Sequence, residues 1–256
     1  MIKKRIKILD LFPDIWMEGF KEDLADRQNL SRQIEEATNG LVKLETVFVD
    51  KGSSSIENMY DDAIVAPYIL QKVKWAEKNG FDAVVIDCFL DPALDAAREL
   101  VQIPIFGPCQ SSTSLAARLG GRFSVIGILE DMDRAIRGNI AKYGLSEKLV
   151  SIPVINVPVL DLSKRHEEVV QIAVGTIEKT IRIDGAYAVI FGCTGMSPII
   201  DSVQEQLFNR GINIPVIEPL RAAVYDAITS TMMGVSHSKV AYRSVREKHR
   251  VLDFET

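Results

Sequence analysis

An α/β fold of two pseudo-symmetric, flavodoxin-like lobes is predicted by three features of this 256-residue chain. First, a glycine that ends a helical segment, a short apolar β-rich run and a cysteine eight residues after the glycine occur twice, from Gly80 to Cys88 and from Gly185 to Cys193. Second, beyond each cysteine stands a helix-start pair, Asp91-Pro92 in one copy and Ser197-Pro198 in the other, an N-cap type of residue followed by proline at the first helical position. Third, Ile103-Pro-Ile-Phe-Gly-Pro108 is answered by Ile214-Pro-Val-Ile-Glu-Pro219. Nearly continuous apolar strands alternating with helices imply a mainly four-stranded parallel sheet in each lobe, covered by helices on both faces. The expected lobes are residues 1–108 plus 217–256 and residues 109–216, with the site in the cleft between them.

The first copy opens with a strand at 6–12, turned by Pro13 and Asp14. Leu24, Leu30, Ile34 and Ala37 stand at helical spacing in a helix over 21–39, closed by Asn39-Gly40. A strand at 44–49, a Gly52-Ser53-Ser54-Ser55 loop and a helix at 68–78 follow. Residues 83–88 form the third strand, 93–101 a helix and 103–106 the fourth strand. The second copy repeats this order: a helix at 112–119 stopped by Gly120-Gly121, a strand at 123–128, a helix at 133–143, a strand at 150–157, a helix at 166–183, a strand at 188–193, a helix at 199–209 and a strand at 214–217. A last helix at 222–233 is expected to pack back on the first copy.

Composition narrows the function. With 47% hydrophobic residues and a net charge of −5, the chain reads as a soluble globular protein with interspersed charges. Its one basic cluster is Lys3-Lys4-Arg5, so a nucleic-acid partner is not expected. That start is followed by too few apolar residues for a signal peptide, and no apolar run reaches membrane-span length. A cytoplasmic location, a small-molecule substrate and a homo-oligomeric assembly are expected, without a membrane partner. Three cysteines, odd and sparse, argue against a disulfide framework. No Cys/His spacing suggests a metal, and the three histidines read as solvated or capping.

In an open parallel sheet, ligands lie beyond the carboxyl ends of the strands, and Cys88 and Cys193 stand at two such ends. If the copies face each other, the two sulfurs flank one cleft from opposite sides, one taking a proton from a carbon acid while the other delivers one. Helix N-terminal dipoles would help hold a thiolate near neutral pH. A cysteine ending an apolar strand is usually a packed core residue, but its recurrence at symmetric turns favours chemistry. A disulfide cycle is the weaker alternative, there being no Cys-x-x-Cys pair. Asp87 is expected to play a structural role, Asp91 to cap the helix after it, and Cys109 to be a packed thiol. Ser111 and Ser112 could bind a carboxylate or cap their helix.

Several stretches carry a family resemblance: Ser55-Ile-Glu-Asn-Met-Tyr-Asp-Asp-Ala63, Cys88-Phe-Leu-Asp-Pro-Ala-Leu-Asp-Ala-Ala-Arg-Glu99, Gly121-Arg-Phe-Ser-Val125, Gly192-Cys-Thr-Gly-Met196, Pro215-Val-Ile217 and residues 231–242. On these the chain resembles the aspartate/glutamate/hydantoin racemase superfamily, nearest the hydantoin and allantoin racemases. The resemblance implies cofactor-independent 1,1-proton transfer with Cys88 and Cys193 as the acid/base pair. It implies that backbone amides around Phe89, Leu90, Thr194 and Gly195 bind the substrate's carbonyl oxygens. Departures cluster where the pocket is expected. Phe12-Pro13-Asp14-Ile15 replaces the family's Asn-Pro-Asn-Thr, Gly107-Pro-Cys-Gln-Ser-Ser112 replaces Gly-Ile-x-Glu-Ala, and Gly127-Ile128 replaces Thr-Thr. Pro13, Asp14, Ser111 and Ser112 therefore join the expected substrate-binding set, and the changes imply an altered ligand.

The leading expectation is a racemase acting on a hydantoin- or allantoin-like carbon acid. Alternatives are a superfamily isomerase or decarboxylase for a maleate- or malonate-type substrate, and a non-catalytic two-lobed binding protein.

Overall fold

The structure is a computed structural model that describes residues 5–249; Lys3 and Lys4 of the basic cluster lie outside the described residues. The first sheet has the order β2-β1-β3-β4, all parallel, from β1 (Ile6–Ile15), β2 (Val42–Val49), β3 (Ala83–Ile86) and β4 (Ile105–Phe106). Alternation along these strands divides their side chains between two layers. Ile8, Ala83 and Val85 pack with Leu30 and Ile34 of α1 (Lys21–Ala37) and with Leu220, Ala223 and Ala227 of α8 (Pro219–Met233). Leu9, Leu11, Val84 and Ile86 belong to the core that includes Val65, Ile69 and Val73 of α2 (Met59–Lys78). Each such fully buried aliphatic side chain contributes on the order of 1.5–3 kcal/mol. The last helix thus returns to the first sheet, as its place after the final strand predicts.

The second sheet, β5-β6-β7, is also parallel and comprises β5 (Phe123–Ile126), β6 (Ala188–Phe191) and β7 (Val216–Ile217). Its core takes residues from α4 (Pro108–Leu119), α5 (Asp133–Lys142), α6 (His166–Lys179) and α7 (Ile200–Asn209). The second strand of this copy, predicted at 150–157, is reduced to isolated bridges, Gly127 with Val154 and, just before that range, Phe123 with Leu149. Its backbone still follows β5, the N–H of Gly127 donating to Pro153 O at 2.8 Å. Pro153 itself has no N–H to give, and Asn156 adopts a left-handed φ of 56°, so a regular ladder cannot form. The positional order still matches the first sheet.

Two further expectations change. Strand β1 runs through Pro13 and Asp14 to Ile15, its pairing jumping from Phe12 with Phe48 to Ile15 with Val49. The two extra residues form a bulge, where a proline forfeits no ladder bond. Helix α2 begins at Met59 rather than at residue 68: Asn58 caps it by accepting from the N–H of Tyr60 (2.9 Å) and Asp61 (3.0 Å). Pro67 lies inside that helix, a cost of about 3 kcal/mol that the buried Val65, Ile69, Val73 and Ala76 stripe offsets. Helix α4 also starts early, at Pro108, and rests along α8, so that the chain's two passages between sheets lie side by side. His237, expected to be solvated or capping, is half-buried against β4: its Nε2 lies 2.9 Å from Ile105 N and 2.7 Å from Ile105 O, and burial lowers its pKa to about 4. No helix among the described residues is long and apolar enough to cross a membrane.

Candidate active site

Beyond Ile86, the N–H of Asp87 still reaches Leu11 O (2.8 Å), which carries the chain to the sheet's carboxyl edge before Cys88. The turn that follows holds two left-handed residues, Asp91 (φ 51°) and Ala93 (φ 55°), and leads to α3 (Leu94–Leu100). In the second copy, β6 ends at Phe191 and Gly192 donates to Ile126 O (2.8 Å). A Cβ at Gly192 would stand 2.7 Å from that same oxygen, so only glycine brings the backbone this close. Cys193 then caps a 3-10 turn, Thr194–Ile199, its sulfur accepting from the N–H of Gly195 at 3.3 Å.

Cys88 and Cys193 line one pocket. Both are almost sealed from solvent, at 9% and 8% exposure, and all three cysteines are free thiols. Asp14, Phe89, Thr194 and Gly195 share the lining, as do Asp87 and the aromatic rings of Phe12 and Phe20. Pro13 and Leu90 are buried beside it but lie outside the lining. Ser111 and Ser112 are buried within α4 and also lie outside it; Ser112 Oγ donates to Pro108 O of its own helix. The Ser112 hydroxyl is thus spent on the first turn of a helix that begins four residues earlier than the sequence predicts. Cys109 is a fully buried, packed thiol.

The residue that sequence reasoning missed is Arg27. It is fully buried, its Nε donating to Asp87 Oδ2 at 3.0 Å and Nη2 to Thr194 O at 3.3 Å. It therefore ties the first cysteine turn to the second. Asp23 and Asp26 stand 3.7 and 3.8 Å from Nη1, and the guanidinium lies 5.1 Å from the centre of the Phe12 ring. Burial disfavours the cation, but Asp87, Asp10 and Asp23 outweigh it and raise its pKa. The available signal was positional: Arg27 shares the helical stripe of Leu30 and Ile34.

Asp91 does not cap α3, as expected; it caps α4 from a distance. Its carboxylate accepts from the N–H of Cys109 and of Gln110, each at 2.9 Å, and from the Tyr143 hydroxyl at 2.6 Å. Gly107, the residue before α4, leaves the space: a Cβ there would stand 2.4 Å from Asp91 Oδ1. Burial raises Asp91 to about 6 against these stabilising bonds.

Burial works against the thiolate that the sequence leads one to expect near neutral pH. Burial raises Cys193 to about 12, although the Gly195 N–H and Arg27 pull it down. Burial likewise holds Cys88 well above the ordinary thiol range; the Leu90 N–H lowers it, while Asp14, Cys193 and Asp62 raise it. Desolvation outweighs the turn amides. The cause is a cavity of only about 30 Å³, room for a water or two. Among the described residues, no group of His, Cys, Asp and Glu is disposed to hold a metal ion.

The chain matches the Asp/Glu/Hydantoin racemase family over residues 28–227. It is 30% identical over 223 residues to the hydantoin racemase of Pseudomonas sp. (strain NS671), covering 86% of this chain and 88% of that one. It is 35% identical over 187 residues to the hydantoin racemase of Rhizobium meliloti, covering 73% and 76%. The structure of allantoin racemase from Klebsiella pneumoniae superposes with a TM-score of 0.85 at 25% identity, over 96% of both chains.

Proposed function

Since the chain belongs to the Asp/Glu/hydantoin racemase family and is a racemase, we propose that it inverts a hydantoin- or allantoin-like carbon acid without a cofactor, using Cys88 and Cys193 as its two bases. The observation that carries this reading is the meeting of two symmetric strand-end cysteines in one pocket.

In this mechanism one sulfur, as thiolate, removes the proton from the ring carbon, and the electron pair of the C–H bond moves onto the adjacent carbonyl as an enolate. The thiol on the other side then gives its proton to the opposite face. The first cysteine ends as thiol and the second as thiolate, so a turnover in the reverse sense restores the starting state. The N–H of Leu90 favours charge on Cys88 and that of Gly195 donates to the Cys193 sulfur; in this reading the amides of Phe89 and Thr194 join them in stabilising the enolate. Because burial is what keeps both thiols protonated, the thiolate forms while the pocket is open to water, before the walls close on the ring.

Pocket polarity favours a ring over maleate- or malonate-type substrates. Asp14, Asp23 and Asp87 line it, and among the described residues no Lys, Arg or His does. The nearby Arg27 is fully buried, lies outside the lining and donates to Asp87 and Thr194, so the pocket wall offers a dicarboxylate acidic side chains and no cation.

Incubation with 5-substituted hydantoins or allantoin in heavy water, followed by NMR and polarimetry, tests the reading. Deuterium should enter the ring carbon as optical rotation decays. A new alkene signal from maleate, or carbon dioxide released from a malonate, with no exchange on any ring, would overturn it.

A further inference from the structure

Two residues of the pocket lining carry a buried carboxyl oxygen without a hydrogen-bond partner: Asp87, whose other oxygen accepts from Arg27, and Asp14, at the bulge in β1. Asp14 is 7% exposed, lines the same small cavity as both cysteines, and its buried Oδ1 has no hydrogen-bond partner. Leaving a buried carboxyl oxygen unpaired is unfavourable, a penalty that a ligand removes by supplying the missing partner. The residues around it do not supply one: Asp23 and Asp87 also line the cavity, and Arg27 directs its bonds to Asp87 and Thr194.

We propose that Asp14 is a substrate-binding residue that pairs edge to edge with a cis-amide of the ring, an N–H beside a C=O. This rests on the ring-racemase reading and adds the residue that recognises the ring's N–H. Burial and the neighbouring Asp87 raise the Asp14 carboxyl to about 8, against the opposing pull of Arg27. Near neutral pH it is therefore mostly a neutral acid, which donates its O–H to the ring carbonyl and accepts from the ring N–H. A cis-amide presents that donor and acceptor pair in one plane. The bulge is what makes this possible, because it redirects the side chain at the end of the strand. Where this chain has Phe12-Pro13-Asp14-Ile15, the residues on either side of Asp14 bring no polar side chain that could compete for the same edge.

The test compares racemisation and calorimetric binding of one 5-substituted hydantoin with its 1-methyl and 3-methyl derivatives, in the natural chain and in Asp14→Leu. The natural chain should prefer the unmethylated ring over one of the two methyl isomers by at least about tenfold. Asp14→Leu, close in volume, should bind the unmethylated ring more weakly and lose that preference. Asp14→Asn, which keeps a donor and an acceptor on one edge, should retain it. If the natural chain treats all three rings alike, or Asp14→Leu keeps the preference, the assignment of Asp14 is overturned while the racemase stands. If none of the rings is bound or racemised, the racemase reading itself fails and takes this assignment with it.

Discussion

The two cysteine turns occupy equivalent places at the ends of β3 and β6, yet they are built differently. The Cys193 turn is closed by its own residues, Cys193 capping its 3-10 turn and Gly192 letting the backbone press on Ile126, and is tied outward through Thr194 to Arg27 and Asp87. The Cys88 turn is propped from outside. Asp91 reaches to α4 and Tyr143, and Asn139 of α5 donates to Leu90 O at 2.6 Å. Their electrostatic surroundings differ as well. Acidic residues raise both thiols, Asp23 and Asp14 at Cys193 and Asp14 and Asp62 at Cys88, but Arg27 acts to lower Cys193. Matching positions in a repeated fold therefore need not mean matching chemistry, and Cys193 is expected to ionise first.

The largest expected effect comes from removing either sulfur. Cys88→Ser and Cys193→Ser should each reduce racemisation by about 10²–10⁴-fold while leaving one-sided exchange of deuterium. In a titration followed by ultraviolet thiolate absorbance, the first thiolate to form should persist in Cys88→Ser and vanish in Cys193→Ser. The opposite order would break the comparison.

Next in size is Arg27→Met, which leaves Asp87 buried without its cation. A loss of about 3–5 kcal/mol is expected in urea unfolding. In the folded variant the first thiolate should form at higher pH, because Arg27 acts on Cys193. An unmoved titration would remove the reason for calling the two turns unequal.

The smallest effects concern the two helix caps that the repeat places in parallel. Glu218 caps α8 by itself, accepting from the N–H of Leu220 (2.9 Å) and Arg221 (2.6 Å), whereas Asp91 caps α4 from another segment. Each Asp→Asn or Glu→Gln change should cost about 1 kcal/mol. Both carboxyls are raised by burial, Asp91 from 3.8 to about 6 and Glu218 from 4.5 to about 7. Raised acids favour folding fully below their unfolded pKa, and that contribution is lost as pH rises through the folded value. Asp91→Asn should therefore flatten the stability profile between about pH 4 and 6, and Glu218→Gln between about pH 4.5 and 7. Coincident windows would make the caps equivalent after all.

Much of this architecture was legible because it repeats. The paired Gly-to-Cys runs and the two Ile-Pro segments announced both sheets and brought the cysteines to strand ends without any knowledge of contacts. What stayed hidden depends on partners distant in sequence. Asp91 looks like a cap for the helix that follows it, and only folding shows that its amides belong to residues 18 and 19 positions later. Arg27 sits among Asp23, Asp26 and Gln28 and reads as part of a solvated face, although it shares a stripe with Leu30 and Ile34. Pro13, Pro67 and Pro153 each misled in their own way. A bulge absorbed the first, a buried helix stripe the second, and the third broke a strand that its apolar neighbours advertised. The upward pull of burial on the two thiols was not legible, because helix amides are visible in a sequence and the degree of burial is not.

The tightness of the cavity has a bearing on durability. A sulfur with less than a tenth of its residue exposed offers little surface to peroxide and electrophiles, and the protonated form that burial favours is the less reactive one. The enclosure that makes the first ionisation harder is also what preserves the groups that must ionise.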